Sequence, residues 1–186
     1  LLITGNRDDD TFYLQPQAIS GHTRILGDIT GAAGGTDWFI LDHLPTISTS
    51  HNRPNHLLAN GSDGAVRDTV DLDGRGGTDH YVVNVTGGQT SYLVNVVDTG
   101  LPDDGADTLR VHSLNTVGTG PFDWDHAQQT GTDPARNDIF LLRKNFVALL
   151  TQTGTDSDNR PTFAGAVERI NYNGTINGRL LVSSGD

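Results

Sequence analysis

The sequence predicts an all-β, elongated, parallel β-solenoid of β-helix type, with coils of about 30 residues, each burying its apolar face against its neighbours. Three observations predict it. Glycine supplies 23 of 186 residues while hydrophobic residues make up only 34%, the balance of a turn-rich β architecture. Of the 23 acidic residues all are Asp except Glu168, and Asp is the turn and loop member of the pair whereas Glu is the helix former. An acidic residue followed by alternating apolar positions also recurs along the chain. A β-sandwich, with the same spacing marking pairs of hairpins, is the alternative architecture.

The recurring pattern starts at Asp10, Asp37, Asp68, Asp79, Asp107, Asp138 and Glu168. Successive starts differ by 27 to 31 residues apart from one extra copy between 68 and 79. Apolar alternation with period two reads as a half-buried strand, and an Asp at its start as the turn that feeds it. Glycines stand just upstream of most copies, as in Gly34-Gly35 and Gly76-Gly77. Second strands are predicted at Arg24–Leu26, Tyr92–Val97, Phe146–Leu150 and Arg179–Val182, with Thr4-Gly5, Thr99-Gly100, Thr130-Gly131 and Thr153-Gly154 near strand ends. The unit is thus strand, Thr-Gly, Asp-rich turn, strand. Residues 43–64 and 113–136 depart from it, and 142–151 is the single candidate helix. Leu1–Gly5 and Leu180–Asp186 occupy the same phase of the unit, and no capping segment is recognisable at either end. We read residues 1–186 as one repeat-built β-domain, and the absence of Met as the mark of an excerpt or processed unit of a longer chain.

Dense apolar runs such as Tyr81-Val82-Val83 argue against disorder, since they can bury a core. A net charge of -11, with Lys144 the one lysine, opposes binding to nucleic acid or an anionic membrane and favours cations as partners. No apolar run is long enough for membrane insertion. Cys is absent, which removes disulfides and thiolate metal sites but permits an extracellular location.

The segment Asp71-Leu-Asp73-Gly-Arg-Gly-Gly-Thr-Asp79 places carboxylates two and six positions apart around glycines, so that one loop could wrap oxygen ligands about a hard cation such as Ca2+. Asp8 and Asp10, then Asp103, Asp104 and Asp107, then Asp133 with Asp138 are further candidate metal ligands, because carboxylates crowded into one turn repel unless a cation is present. Each of these is also what a solvated Asp/Gly turn looks like. For an enzyme, the most suitable cluster is Asp123-Trp124-Asp125-His126, where an aromatic platform beside two acids would suit a sugar ring; an anchoring Trp in a loop is the plainer reading. Nucleophile-elbow, phosphate-loop, dinucleotide and zinc-protease motifs are absent.

Residues 98–109, 140–149 and 167–178 resemble segments of very large secreted bacterial repeat proteins related to the repeats-in-toxin group. That resemblance implies export, folding on meeting external calcium, and service as an adhesin, matrix or surface-layer component. It implies a secreted or cell-surface location. Strand edges left uncapped at both ends favour end-to-end self-association with another copy or pairing with flanking repeats of the same chain, and surface glycans are a further candidate partner. The chain departs from the group in spacing its glycine-rich turns about 30 residues apart rather than nine, which favours wide coils with few ions. A non-catalytic structural or adhesive role is the functional expectation, with a carbohydrate-active or sugar-binding β-helix as the alternative.

Overall fold

A computed structural model describes residues 1–14, 23–29, 34–42, 70–85, 92–100, 105–113, 138–163 and 167–183. The described residues are all-β, in thirteen strands. Five short strands, β1 (Leu2–Thr4), β3 (Thr23–Leu26), β5 (Val70–Asp73), β7 (Tyr92–Val97) and β12 (Glu168–Tyr172), lie side by side in one sheet. Five others, β2 (Thr11–Leu14), β4 (Trp38–Asp42), β6 (His80–Val85), β8 (Thr108–Ser113) and β13 (Arg179–Ser183), form the second. Every pairing within these two sets is parallel. The chain therefore alternates between the sheets: β1 to β2, β3 to β4, β5 to β6, β7 to β8 and β12 to β13. Neither sheet closes into a barrel.

Alternation along each strand decides which residues face the shared core. Phe12, Phe39, Tyr81 and Leu109 occupy one row across the second sheet, and Leu14, Leu41, Val83 and Val111 the next. From the first sheet Ile25, Leu72 and Val96 meet them, with Val70, Val94 and Ile170 in the neighbouring row. These side chains are buried, Phe12 partly so. Parallel register turns each row into a stack of like residues: Phe12 lies over Phe39 at 5.1 Å between ring centroids and Phe39 over Tyr81 at 4.9 Å, close to the ~4.8 Å strand spacing that brings them together. Tyr81 sits inside because its hydroxyl is satisfied there. It accepts from the Gly74 N–H at 2.7 Å and donates to the Val97 carbonyl at 3.0 Å.

The remaining strands, β9 (Asp138–Arg143), β10 (Phe146–Thr155) and β11 (Pro161–Phe163), are antiparallel. β10 pairs along the free edge of β12 and also with β9 and β11, so the first sheet is covered at that end. Several expectations change here. Residues 142–151 form a hairpin rather than a helix, because Val147 and Leu149 alternate into the core while Phe146 packs outward under the Arg169 guanidinium at 3.9 Å. Thr153-Gly154 lies within β10 rather than in a turn. Leu1–Gly5 and Leu180 onward are not in one phase, since β1 belongs to the first sheet and β13 to the second. Of the acidic starts, only Asp10, Asp37, Asp79 and Asp107 precede strands of the second sheet. Asp138 opens the hairpin, Glu168 opens β12 of the first sheet, and Asp68 lies outside the described residues.

Candidate functional site

The turns that carry the chain from the first sheet to the second bring those four acids into one column. The Asp10 N–H donates to Asp37 Oδ1 at 2.8 Å, the Asp37 N–H to Asp79 Oδ1 at 3.0 Å, and the Asp79 N–H to Asp107 Oδ1 at 2.9 Å. The Asp107 N–H ends the series on Asn177 Oδ1 at 3.1 Å. Their carbonyls run the same way, accepting from the N–H groups of Trp38, His80, Thr108 and Gly178 at 2.8 to 2.9 Å. The Asp37, Asp79 and Asp107 carboxylates thus each continue the sheet ladder by one bond at the bend. The short Asp side chain reaches this position, which accounts for Asp rather than Glu at 37, 79 and 107.

Close packing fixes the rest of the column. Asp37, Asp79 and Asp107 are buried, and the second oxygens of Asp37 and Asp79 make no hydrogen bond. Asp79 Oδ2 rests on the Cα of Gly74, where a Cβ would collide with it and stand 2.6 Å from the Tyr81 hydroxyl. The turns touch backbone to backbone: Gly77 has φ +93° and a Cβ there would overlap the Gly35 carbonyl. Burial, reinforced by neighbouring Asp carboxylates and opposed by the accepted N–H, pushes Asp37 up to about 6 and Asp79 up to about 8. Asp28 is buried as well, and neither of its oxygens makes a hydrogen bond of good geometry. Its pKa is raised by burial, against the nearby Gly35 amide, and Asp10 pushes it up further while Arg75 and Arg7 draw it down.

The Asp71 to Asp79 segment does not close around one point. Asp71 and Asp73 lie on β5, whose Val70 and Leu72 face the core. Asp71 accepts from Asn95 Nδ2 at 2.6 Å, and Asn95 Oδ1 accepts from Asn171 Nδ2 at 2.8 Å, a polar row on the outer face of the first sheet. Asp73 pairs with Arg24 at 3.1 Å and accepts from the Thr99 N–H and hydroxyl at 3.0 Å. Asp79 belongs to the turn column. Asp8 is exposed and donates its N–H to Asn6 Oδ1, while Asp10 Oδ2 accepts from the Asn6 N–H. Asp107 sits in the column; Asp103, Asp104 and Asp133, the side chain of Asp138 and the Asp123–His126 cluster lie outside the described residues. Among the described residues no three acidic or His side chains form a group that could hold a metal ion. Asp28 and Asn177 were not singled out from sequence. The usable signal was Gly74-x4-Asp79 with its counterparts Gly5-x4-Asp10 and Gly27-x9-Asp37.

Comparison with family models, with curated proteins and with solved structures gives no match for this chain.

Proposed function

We propose that the chain is a non-catalytic structural module, a segment of β-solenoid that serves as a rod or adhesive stalk outside the cell, at a bacterial surface. The turn column is the observation that supports it: three carboxylates at unequal sequence spacing, those of Asp37, Asp79 and Asp107, each tie one turn to the next. A part built this way resists unwinding and is extended by adding turns. Its β1, β2 and β13 edges are unpaired among the described residues, the condition under which strands add to a sheet. Asp10 Oδ1, the acceptor that the N–H of a preceding turn would take, also has no partner among the described residues.

End-to-end association is tested by light scattering and negative-stain microscopy across a concentration series, with Tyr13→Lys on β2 as the edge-blocking variant. The reading expects concentration-dependent linear assemblies that the variant suppresses. A chain that stays monomeric at millimolar concentration, with the variant indistinguishable, would remove self-association from it.

Calcium stabilisation is a second reading, favoured by Asp28, whose buried carboxylate lies within electrostatic reach of Asp10 and Asp37. Backbone carbonyls would have to complete the shell of six to eight oxygens that Ca2+ takes. An ion that binds only the folded chain raises its stability by mass action. The melting temperature then rises with millimolar calcium and falls in excess chelator; identical melting in both would end the calcium reading and leave the rod untouched.

A further inference from the structure

The outer face of the second sheet holds a feature that the turn column does not use. Parallel register sets Trp38, His80, Thr108 and Arg179 side by side across β4, β6, β8 and β13, and Ile40, Val82, Arg110 and Leu181 in the row beside them. A cavity of about 210 Å3 opens between these rows, lined among others by Trp38, His80, Val82, Arg110, Arg179 and Leu181. It presents an aromatic face, two guanidinium groups and an apolar floor. In a chain of net charge -11, no carboxylate among the described residues lines it.

The rim is held in place. Trp38 is 36% exposed and packs against the His80 ring at 4.2 Å between centroids. His80 is anchored through Nδ1 to Thr108 Oγ1 at 2.7 Å. Arg179 is exposed at the strand start and borders the cavity. Val82 is 3% exposed although it lies on the outward row, so the floor is dry where the rim is wet.

We propose that this cavity binds an acidic sugar unit, one uronate-sized ring bearing a carboxylate. A pyranose presents C–H groups that stack on an indole face, and the planar guanidinium of Arg179 matches a carboxylate with two parallel N–H donors. Arg110, on the adjacent strand β8, adds a second positive charge to the lining. The volume accommodates one ring. The inference stands apart from the rod reading, since a monomeric protein could bind in the same way.

Isothermal titration with a triuronic acid, its methyl ester and a neutral trisaccharide of the same linkage tests it. The acid is expected to bind at submillimolar concentration, more weakly as salt rises, and at least tenfold tighter than the ester or the neutral sugar. Arg179→Ala, at an exposed position, should lower affinity at least tenfold with an unchanged melting temperature, and Arg179→Lys should recover only part of it. Trp38→Phe should weaken acid and ester alike. Absence of binding, equal binding of acid and ester, or full affinity in Arg179→Ala would each overturn the proposal.

Discussion

Two polar columns run across the strands, and they solve the same problem at different depths. On the outer face of the first sheet, Asp71, Asn95 and Asn171 pass hydrogen bonds from one side chain to the next, half-exposed and with water to share the load. At the turns, Asp37, Asp79 and Asp107 are sealed, and each carboxylate is matched to a backbone N–H of the neighbouring turn. The outer column can lose a member and rehydrate. The turn column cannot, because the Asp37 and Asp79 N–H groups at its centre are in buried bonds and its backbones are in contact.

Gly77 should therefore be the most sensitive position. A Cβ there meets the Gly35 carbonyl from a backbone held at φ +93°. Left-handed strain costs about 1–3 kcal/mol and overpacking about 1–3 more. Gly77→Ala is expected to lose about 2–6 kcal/mol in urea unfolding, or to fail to fold; a loss below about 1 kcal/mol would mean that the turns are not in backbone contact.

Asp79 comes next. Asp79→Ala removes the acceptor of the Asp37 N–H and leaves a buried donor unpaired, at a cost of about 1–3 kcal/mol. Asp79→Asn keeps an acceptor and removes the titratable group. The pH dependence separates the two roles. With folded-state values pushed to about 8 for Asp79 and about 6 for Asp37, the native chain binds protons that the unfolded chain has released above its ordinary value of about 4. Stability from these groups is full below that value and is lost as pH rises toward 8. The melting temperature should fall by about 5 °C or more between pH 5 and pH 8, and Asp79→Asn should flatten most of that slope. A melting temperature that climbs over the same interval would show the column to be ionised.

The contrast also explains what the sequence made legible. Strand positions followed from alternation, and β3, β7, β10 and β13 fall where apolar runs placed them. The acidic start marked a strand at Asp10, Asp37, Asp79, Asp107, Asp138 and Glu168 alike, but only the first four lead into the second sheet, because an acid before a half-buried strand is a local signal and sheet membership is not. Asn177 ends the column without a charge, so a search for acids passes over it. Asp71 and Asp73 looked like partners of Asp79 because spacing along a loop cannot say that a strand holds the first two and a turn the third. The hairpin of β9 and β10 hid among the repeats since its apolar content matches theirs; its antiparallel pairing with β12 is a tertiary contact that no local pattern encodes.

The outer column should respond more mildly than the turns. Asn95→Ala breaks one bond to Asp71 and one to Asn171, both on half-exposed partners that water can satisfy, and the expected loss is about 1 kcal/mol. Smallest of all is Tyr13→Phe, which removes an exposed hydroxyl donating to Asp42 Oδ2 at 2.8 Å, for about 0.5 kcal/mol or less. Its titration is more telling than its energy. Burial first, then the hydrogen bond and charge of Asp42, push the Tyr13 phenol up to about 12, and Asp42 Oδ1 is itself held by Asn84 Nδ2 at 3.3 Å. Ultraviolet titration of Asp42→Asn should bring that phenol back toward its ordinary value without moving the melting temperature by more than about 2 °C. If instead Asp42→Asn destabilises the chain as strongly as Asp79→Ala, depth of burial is not what separates the two columns, and the outer faces would have to be counted among the locks that hold the strands together.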